Sequence, residues 1–217
     1  MQDAPRDLHE ERMADKNRPY LDTFLAELNR VTREIDRSAI SRAVDALFDT
    51  WQRRGAVFTM GNGGSASTAT HLACDLAKVT IVPGRPRLKV MSLVDNIPLV
   101  SAWTNDDGFG SIFVEQLEPW LAAGDTLIGL SVHGGSKRSD GGPWSQNLGR
   151  AMALAKERGA HTIGLSGFHG GALKDMAEVC VVVPMASEPL GTPIVEAFHV
   201  VLHHLLATAL RRRIETA

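Results

Sequence analysis

Ala56-Val57-Phe58-Thr59-Met60-Gly61-Asn62-Gly63-Gly64-Ser65 is the stretch that sets the architecture of this 217-residue chain. A short apolar run leads straight into a cluster of glycines, and a helical pattern follows from about Ser67. The run is continuous rather than alternating, as a strand buried on both faces requires. Glycines allow a tight turn and close approach of backbone to a ligand. The helix start beyond them offers unpaired N–H groups and positive potential, which favour an anion. A plain turn or a dinucleotide-binding turn would also place glycines here. The spacing is not GxGxxG, no acidic residue closes a second strand about 20 residues on, and the lysine of a P-loop is missing. A phosphate or sugar of a small molecule is the better reading.

Working outward, the pattern repeats. Leu88–Leu93, Thr126–Ser131, His161–Leu165 and Val179–Val183 read as further buried strands. Between them, about Ser67–Val79, Asn96–Trp103, Ser111–Trp120, Ser145–Arg158 and Gly171–Met176 read as helices, with a last one from Pro193 to Arg213. Strand then helix, repeated, predicts βαβ units and a doubly wound parallel α/β sheet. Upstream, apolar residues recur at helical spacing from Tyr20 to Arg54, with Ser38 as an N-cap and Gly55 as a terminator of the second helix. Residues Met1 to Asn17 are polar. The expected organisation is a flexible segment over 1–19 and a single domain over 20–217 that includes N-terminal helices 20–54. Those helices carry one apolar stripe each, which needs the domain behind them or another subunit to pack on.

Composition narrows the partners. With 44% hydrophobic and 22% charged residues and a net charge of -2, the chain is globular and has no global field for nucleic acid or an anionic membrane. Cys74 and Cys180 lie in apolar segments without CxxC pairing, which fits buried thiols in a reducing compartment. The charged N-terminal stretch lacks the apolar core of a signal peptide, and no stretch is expected to span a bilayer. A cytoplasmic location is expected.

Ligands of such sheets bind beyond the carboxyl ends of the strands, and that is where the polar motifs fall. Ser131-Val132-His133-Gly134-Gly135-Ser136 follows one strand, and Ser145-Gln146-Asn147 opens the next helix. Hydroxyls and helix N–H groups together make a phosphate cradle, although Ser145 also fits as a simple N-cap. Lys137 and Arg138 lie in the loop between. His71 and Asp75 sit four apart on the helix after the glycines; Glu196, His199, His203 and His204 sit on the last helix. Histidine and carboxylate at such spacing suits zinc, and equally suits a hydrogen-bonded surface pair and a solvated helix end.

Taken together these motifs resemble the SIS-domain phosphoheptose isomerases over roughly Leu21 to Leu210. Gly61-Asn62-Gly63-Gly64-Ser65 with His71 and Asp75 is similar to their GNGGS…HxxxE signature, and Ser131 through Ser145-Gln146-Asn147 to their STSGNSxN loop. Gly159 with Thr162-Ile163-Gly164-Leu165-Ser166-Gly167 looks like their strand ending in GLTG, and Thr192-Pro193-Ile194-Val195-Glu196 with His199 and His204 like their TPRIQExHxxxxH helix. Asp95 falls where they carry an aspartate after the second strand, and Asn105-Asp106 where they carry GND. The resemblance implies an SIS-type three-layer sandwich with a five-stranded parallel sheet and an N-terminal helical extension. It implies a homotetramer with active sites at subunit interfaces and one zinc per subunit.

Carried onto matching positions, the resemblance makes His71, Asp75, Glu196 and His204 the metal ligands. Ser65, Ser131 and Ser145 would hold phosphate, and Asn62 and Asp95 would touch sugar hydroxyls. Gly63, His133 and Ser136 belong to the same substrate-binding loops. Asp75 as base and His204 as acid, on opposite sides of the substrate, would interconvert sedoheptulose 7-phosphate and D-glycero-D-manno-heptose 7-phosphate through an enediolate. The chain departs from the pattern at Asp75 (Glu in the family), Glu196 (Gln), His133 (Ser), Ile194 (Arg) and an insertion around Lys137 to Trp144. These departures leave room for two other readings. One is an isomerase of a longer or different ketose phosphate in a specialised pathway. The other is a non-catalytic SIS protein that binds a sugar phosphate or a protein partner.

Overall fold

The computed structural model describes residues 8–135 and 145–217, with side chains from residue 16 onward. The chain divides into two units, Met1–Glu34 and Ile35–Ala217. The first is one helix, α1 (Leu8–Glu34), which continues through Pro19. A proline inside a helix removes one backbone donor. Arg30 paired with Glu27 at 2.9 Å adds side-chain support on the same helix. The boundary read at residue 19 therefore falls within a helix, and the division into 1–19 and 20–217 remains a proposal.

The second unit opens with α2 (Arg37–Gln52). Its N-cap is Asp36 rather than Ser38: the Asp36 carboxylate accepts from the backbone of Ser38 and Ala39 at 2.8 and 3.1 Å, and an anion at a helix N-terminus also meets the positive end of the dipole. Then come β1 (Ala56–Gly61), α3 (Gly64–Lys78), β2 (Lys89–Ser92), α4 (Ile97–Asp107), α5 (Val114–Leu117) and β3 (Thr126–Leu130). After the serine loop follow α6 (Gln146–Glu157), β4 (His161–Gly167), α7 (Gly171–Met176), β5 (Val179–Val183) and α8 (Gly191–Glu215). All strands pair in parallel, in the order β2-β1-β3-β4-β5. The five-stranded parallel α/β sheet flanked by helices is the architecture read from the sequence. Details differ at the edges. β2 is four residues because an edge strand has one neighbour to hold its ends, and the helix read over Ser111–Trp120 contracts to Val114–Leu117.

Strand alternation sorts the core into two layers. Phe58 and Met60 of β1 and Leu127 of β3 pack with Phe113, Leu117, Leu148, Met152 and Leu173 from the α5–α7 side. On the opposite face, buried Thr59 donates its hydroxyl to the carbonyl of Ala69 in α3 at 2.8 Å, and α3 and α2 pack on α8. The 25-residue α8 corrects one expectation, since by length and composition it is apolar enough to cross a bilayer. Here its apolar stripe is core: Ile194, Val195, Phe198, Leu202, Leu206, Leu210 and Ile214 recur at helical spacing and are buried.

The strand order reverses direction between β1 and β3, which makes the crevice beyond their carboxyl ends the preferred ligand position. Gly61 is level with Leu130 across that pair. The Gly-rich turn and the serine loop therefore leave the sheet side by side.

Candidate functional site

Gly63 takes φ +58°, ψ -127°, a backbone state open to glycine, and so turns the chain directly into α3. That turn brings Asn62 opposite the start of α6. The amides of Asn62 and Asn147 bond reciprocally, Asn62 Nδ2 to Asn147 Oδ1 at 3.0 Å and Asn147 Nδ2 to Asn62 Oδ1 at 2.9 Å. Asn62 Nδ2 also donates to Ser145 Oγ at 3.1 Å. Ser145 does sit at the N-cap position of α6, in the left-handed region at φ +56°, but its hydroxyl caps nothing in the helix. It is held by Asn62 instead. Left-handed backbone at a residue other than glycine costs of order 1 kcal/mol and clusters at ligand sites.

Asn62 and Ser145 line a cavity of about 500 Å³ with Ser65, Ser131, Val132, His133, Gly135 and Glu196. Of the substrate-binding set read from the sequence, Asn62, Ser65, Ser131, His133 and Ser145 thus share one space, with Gly63 at its hinge. Ser136 and the insertion Lys137 to Trp144 lie outside the described residues. Asp95 is elsewhere. Its Oδ1 accepts from Thr70 Oγ1 at 2.6 Å and it lines a different cavity with Met91, Leu99 and Trp120. β2 lies on the far side of β1 from β3, so a residue following β2 emerges away from the switch point.

A second group sits farther along the same helices. His71 and Asp75 of α3 meet His203 and His204 of α8, and one donor atom from each lies within 4.8 Å of every other. His204 Nδ1 is 2.7 Å and His203 Nδ1 3.3 Å from Asp75 Oδ2, and His71 Nε2 is 3.9 Å from Asp75 Oδ1. The His203 ring centroid lies 4.4 Å from that of His71 and 4.1 Å from that of His204. Despite these approaches, buried Asp75 Oδ2 and both nitrogens of His203 have no aligned hydrogen-bond partner. Burial, joined by the neighbouring His204 and His71 and partly opposed by Asp75, pushes the His203 pKa down to about 4. The imidazole is therefore neutral and its lone pair is free. Convergent nitrogen and oxygen donors, of which Asp75 Oδ2 and the His203 nitrogens are buried and orphaned, fit a zinc ion.

Glu196, read from the sequence as a ligand, is not in this group. It lies seven residues before His203, about 10 Å along the helix. Its carboxylate packs on Gly64, where a Cβ would collide with it, and it faces the serine-lined cavity. His203 stands in its place. The 2.7 Å between Asp75 and His204 also leaves no room for a substrate between them, so the two form an adjacent pair rather than opposite walls. His199, between the two groups on α8, is fully buried with neither ring nitrogen in an aligned hydrogen bond, and burial pushes its pKa down to about 4, partly opposed by the nearby Ser166 backbone carbonyl. From Ser65 to His71 is six residues of α3, so the cavity and the cluster are about 9 Å apart along the helix.

A parallel sheet with a hydroxyl-lined cavity at its switch point defines the class. Residues 19–167 match the SIS domain model, and the chain belongs to the SIS domain family. Over 186 residues it is 48% identical to the lincomycin biosynthesis protein LmbN of Streptomyces lincolnensis, covering 86% of this chain and 66% of that protein, just under two thirds of its length. It is 30% identical over 191 residues to the phosphoheptose isomerase of Helicobacter pylori strain 26695, covering 87% of this chain and 92% of that one. The solved phosphoheptose isomerase from Neisseria gonorrhoeae superposes with a TM-score of 0.75 at 23% identity, over 91% of this chain and 98% of its own. One from Francisella tularensis gives 0.76, also at 23% identity, over 92% and 98%. The solved structures carry the fold.

Proposed function

We propose that this chain is a sugar-phosphate aldose–ketose isomerase that converts sedoheptulose 7-phosphate to D-glycero-D-manno-heptose 7-phosphate. The observation that carries the reading is the pairing of a serine-lined cavity with a titratable His–Asp cluster about two turns away along α3 and α8. A substrate phosphorylated at one end and reacting at the other needs both, at a separation of that order. Ser65, Ser131 and Ser145 fix the phosphate, so that binding energy remote from the reacting carbons positions them.

Asp75 Oδ2 then takes a proton from C1 of the ketose while the C2 carbonyl oxygen gains one, giving the enediol. The proton returns at C2 as the C1 hydroxyl loses its own, giving the aldose. His204, half-exposed and adjacent to Asp75, exchanges the oxygen-bound proton. His71, Asp75, His203 and His204 would hold one zinc ion per subunit, and bound zinc supplies Lewis-acid polarisation of the sugar oxygens. The exposed apolar residues Val200, Val201 and Leu205 of α8 favour a homo-oligomer, read as a tetramer, and a cytoplasmic enzyme accords with the buried role of α8.

A second reading has one specific observation behind it. Identity to the lincomycin biosynthesis protein is 48%, against 32% or less to the phosphoheptose isomerases. That favours a longer or otherwise different ketose phosphate in specialised metabolism, with the same chemistry. A panel of ketose phosphates of different length, assayed for aldose formation, separates the two. Turnover best on sedoheptulose 7-phosphate supports the first, and preference for a longer ketose phosphate the second. Tight binding without turnover of any member would remove the isomerase reading.

A further inference from the structure

The charges lining the cavity are unbalanced for a phosphate. Among the described lining residues Glu196 supplies a negative charge, and His133 is the only side chain able to carry a positive one. The serine hydroxyls are neutral donors. A dianion entering this space beside a carboxylate is held more tightly with a cation than by hydroxyls alone, and among the described lining residues His133 is in position to be it.

The position of His133 is built rather than incidental. Its backbone is pinned: Gly134 N donates to Ser131 O at 3.2 Å, Leu173 N to Gly134 O at 2.9 Å and Ala172 N to Gly135 O at 3.1 Å. Its ring stacks on Phe168, with centroids 4.5 Å apart and planes at 16°. Phe168 follows β4 in the left-handed region at φ +53°, an unfavourable state for a bulky residue that the surroundings must hold. The tip of the Phe168 ring packs on Gly191 at the start of α8, where any Cβ would collide with it. Phe168 thus touches both the imidazole and the backbone of α8. Glu188 Oε1 lies 3.8 Å from His133 Nε2, and Glu188 is itself tied to the backbone N–H of Thr192 at 3.2 Å and to its hydroxyl. Exposed pairs at such distances contribute little, so the stack is the main restraint.

We propose that His133 is the cationic contact of the substrate phosphate, and that Phe168 is a positioning residue that holds its ring toward the cavity. This rests on the sugar-phosphate reading of the site but not on turnover. The edge of a planar imidazole presents one N–H donor per nitrogen, so its direction decides whether it meets the anion.

The test is titration of the full-length protein with inorganic phosphate by calorimetry. His133 is exposed, so His133→Gln leaves the core untouched, and it should weaken phosphate binding about 10-fold or more, the worth of one charge-assisted hydrogen bond. Phe168→Leu should weaken it several-fold. In the His133→Gln background Phe168→Leu should add nothing. In assays with a sugar phosphate the loss should fall on KM rather than on kcat. Wild-type phosphate affinity in His133→Gln, an equal effect of Phe168→Leu in both backgrounds, or no phosphate binding by the wild type would overturn the proposal. Should the phosphate pattern hold while no sugar phosphate is isomerised, this inference stands and the isomerase reading falls. Isomerisation with phosphate binding indifferent to His133 gives the reverse.

Discussion

Two histidine–carboxylate groups sit in different parts of the molecule, one at the amino-terminal end of β4 and one between α3 and α8, and they are built on opposite principles. At the amino-terminal end of β4, His161 donates or accepts at both ring nitrogens, Nδ1 to Glu178 at 2.8 Å and Nε2 to Asp49 at 2.9 Å. Asp49 has a further partner in Arg53 at 2.6 Å. Burial works against the charged imidazole there and the two carboxylates outweigh it, so the His161 pKa is raised. Between α3 and α8, His203 is fully buried beside Asp75 with neither nitrogen satisfied, and its pKa falls to about 4. The first group is complete as it stands and serves to join α2, β4 and the entry to β5. The second is incomplete within the protein. An unsatisfied buried polar group costs about 1–3 kcal/mol, and the cost is retained where a ligand or ion meets the need. His199 shares the burial and the unsatisfied nitrogens of His203, so what marks His203 out is that its unsatisfied nitrogens converge with Asp75, His71 and His204.

The sharpest way to break this contrast is to remove the shared carboxylate of the second group. Asp75→Asn should lower kcat about 100-fold to 10,000-fold, the usual worth of a positioned general base, with the global fold retained by circular dichroism. Turnover near wild type would remove Asp75 from the chemistry. Next in size is the metal. His203→Ala should lower zinc affinity by at least the ~10–100-fold that even loss of an outer-sphere partner costs, read as metal per subunit after dialysis, whereas Glu196→Ala should keep its zinc. The opposite pattern would move the ion to the cavity end of α8.

The sheet, the cavity and the His–Asp cluster were not equally legible in the sequence. The parallel sheet was, because β1, β3 and β4 are buried on both faces and their continuous apolar runs admit few other folds. The cavity was partly legible: Gly63 and the serines follow strands directly, and a parallel sheet gathers such positions at one edge. Asp95 obeyed the same local rule and went elsewhere, since strand order places β2 at the edge. His203 was named as part of a helical face but not as a ligand. Between Leu202 and Leu206 it reads as a break in an apolar stripe, and the partner that gives it meaning lies on another helix. A polar residue inside a buried stripe was the available signal. Phe168 carried none, because its role comes from a stack formed only when the ends of β3, β4 and α8 converge.

A smaller effect is expected where the cavity is held from behind. Asn147 is buried and its amide is spent on Asn62 rather than on any ligand. Asn147→Ala leaves the Asn62 amide short of two bonds, which should cost about 1–3 kcal/mol of stability. Ser145, whose hydroxyl accepts from Asn62, should lose its orientation as well, so KM for the sugar phosphate should rise. Asn147→Ala with wild-type stability and wild-type KM would show that the reciprocal amide pair positions nothing.

The smallest expected effect tests the complete end of the sheet. His161→Gln removes a charge from between two carboxylates that are partly exposed, so the loss should be about 1–2 kcal/mol after allowance for solvent screening. The pH dependence gives the sign. Because the His161 pKa is raised on folding, its contribution is full below the unfolded value of about 6.5 and fades as pH rises through the folded value. Hydrogen bonding to His161, then to Arg53, lowers the Asp49 pKa, so that part of the contribution is full above about 3.9 and fades as pH falls through the folded value. Wild type and His161→Gln should therefore differ most in denaturant midpoint between about pH 4 and 6.5, and converge toward alkaline pH. Catalytic rate should be unchanged, since His161 lies at the sheet end away from the cavity. A variant whose stability deficit grew above neutral pH would mean that His161 works as a neutral hydrogen-bonding residue, and the contrast between the two groups would then rest on hydrogen-bond satisfaction alone, with no part played by charge.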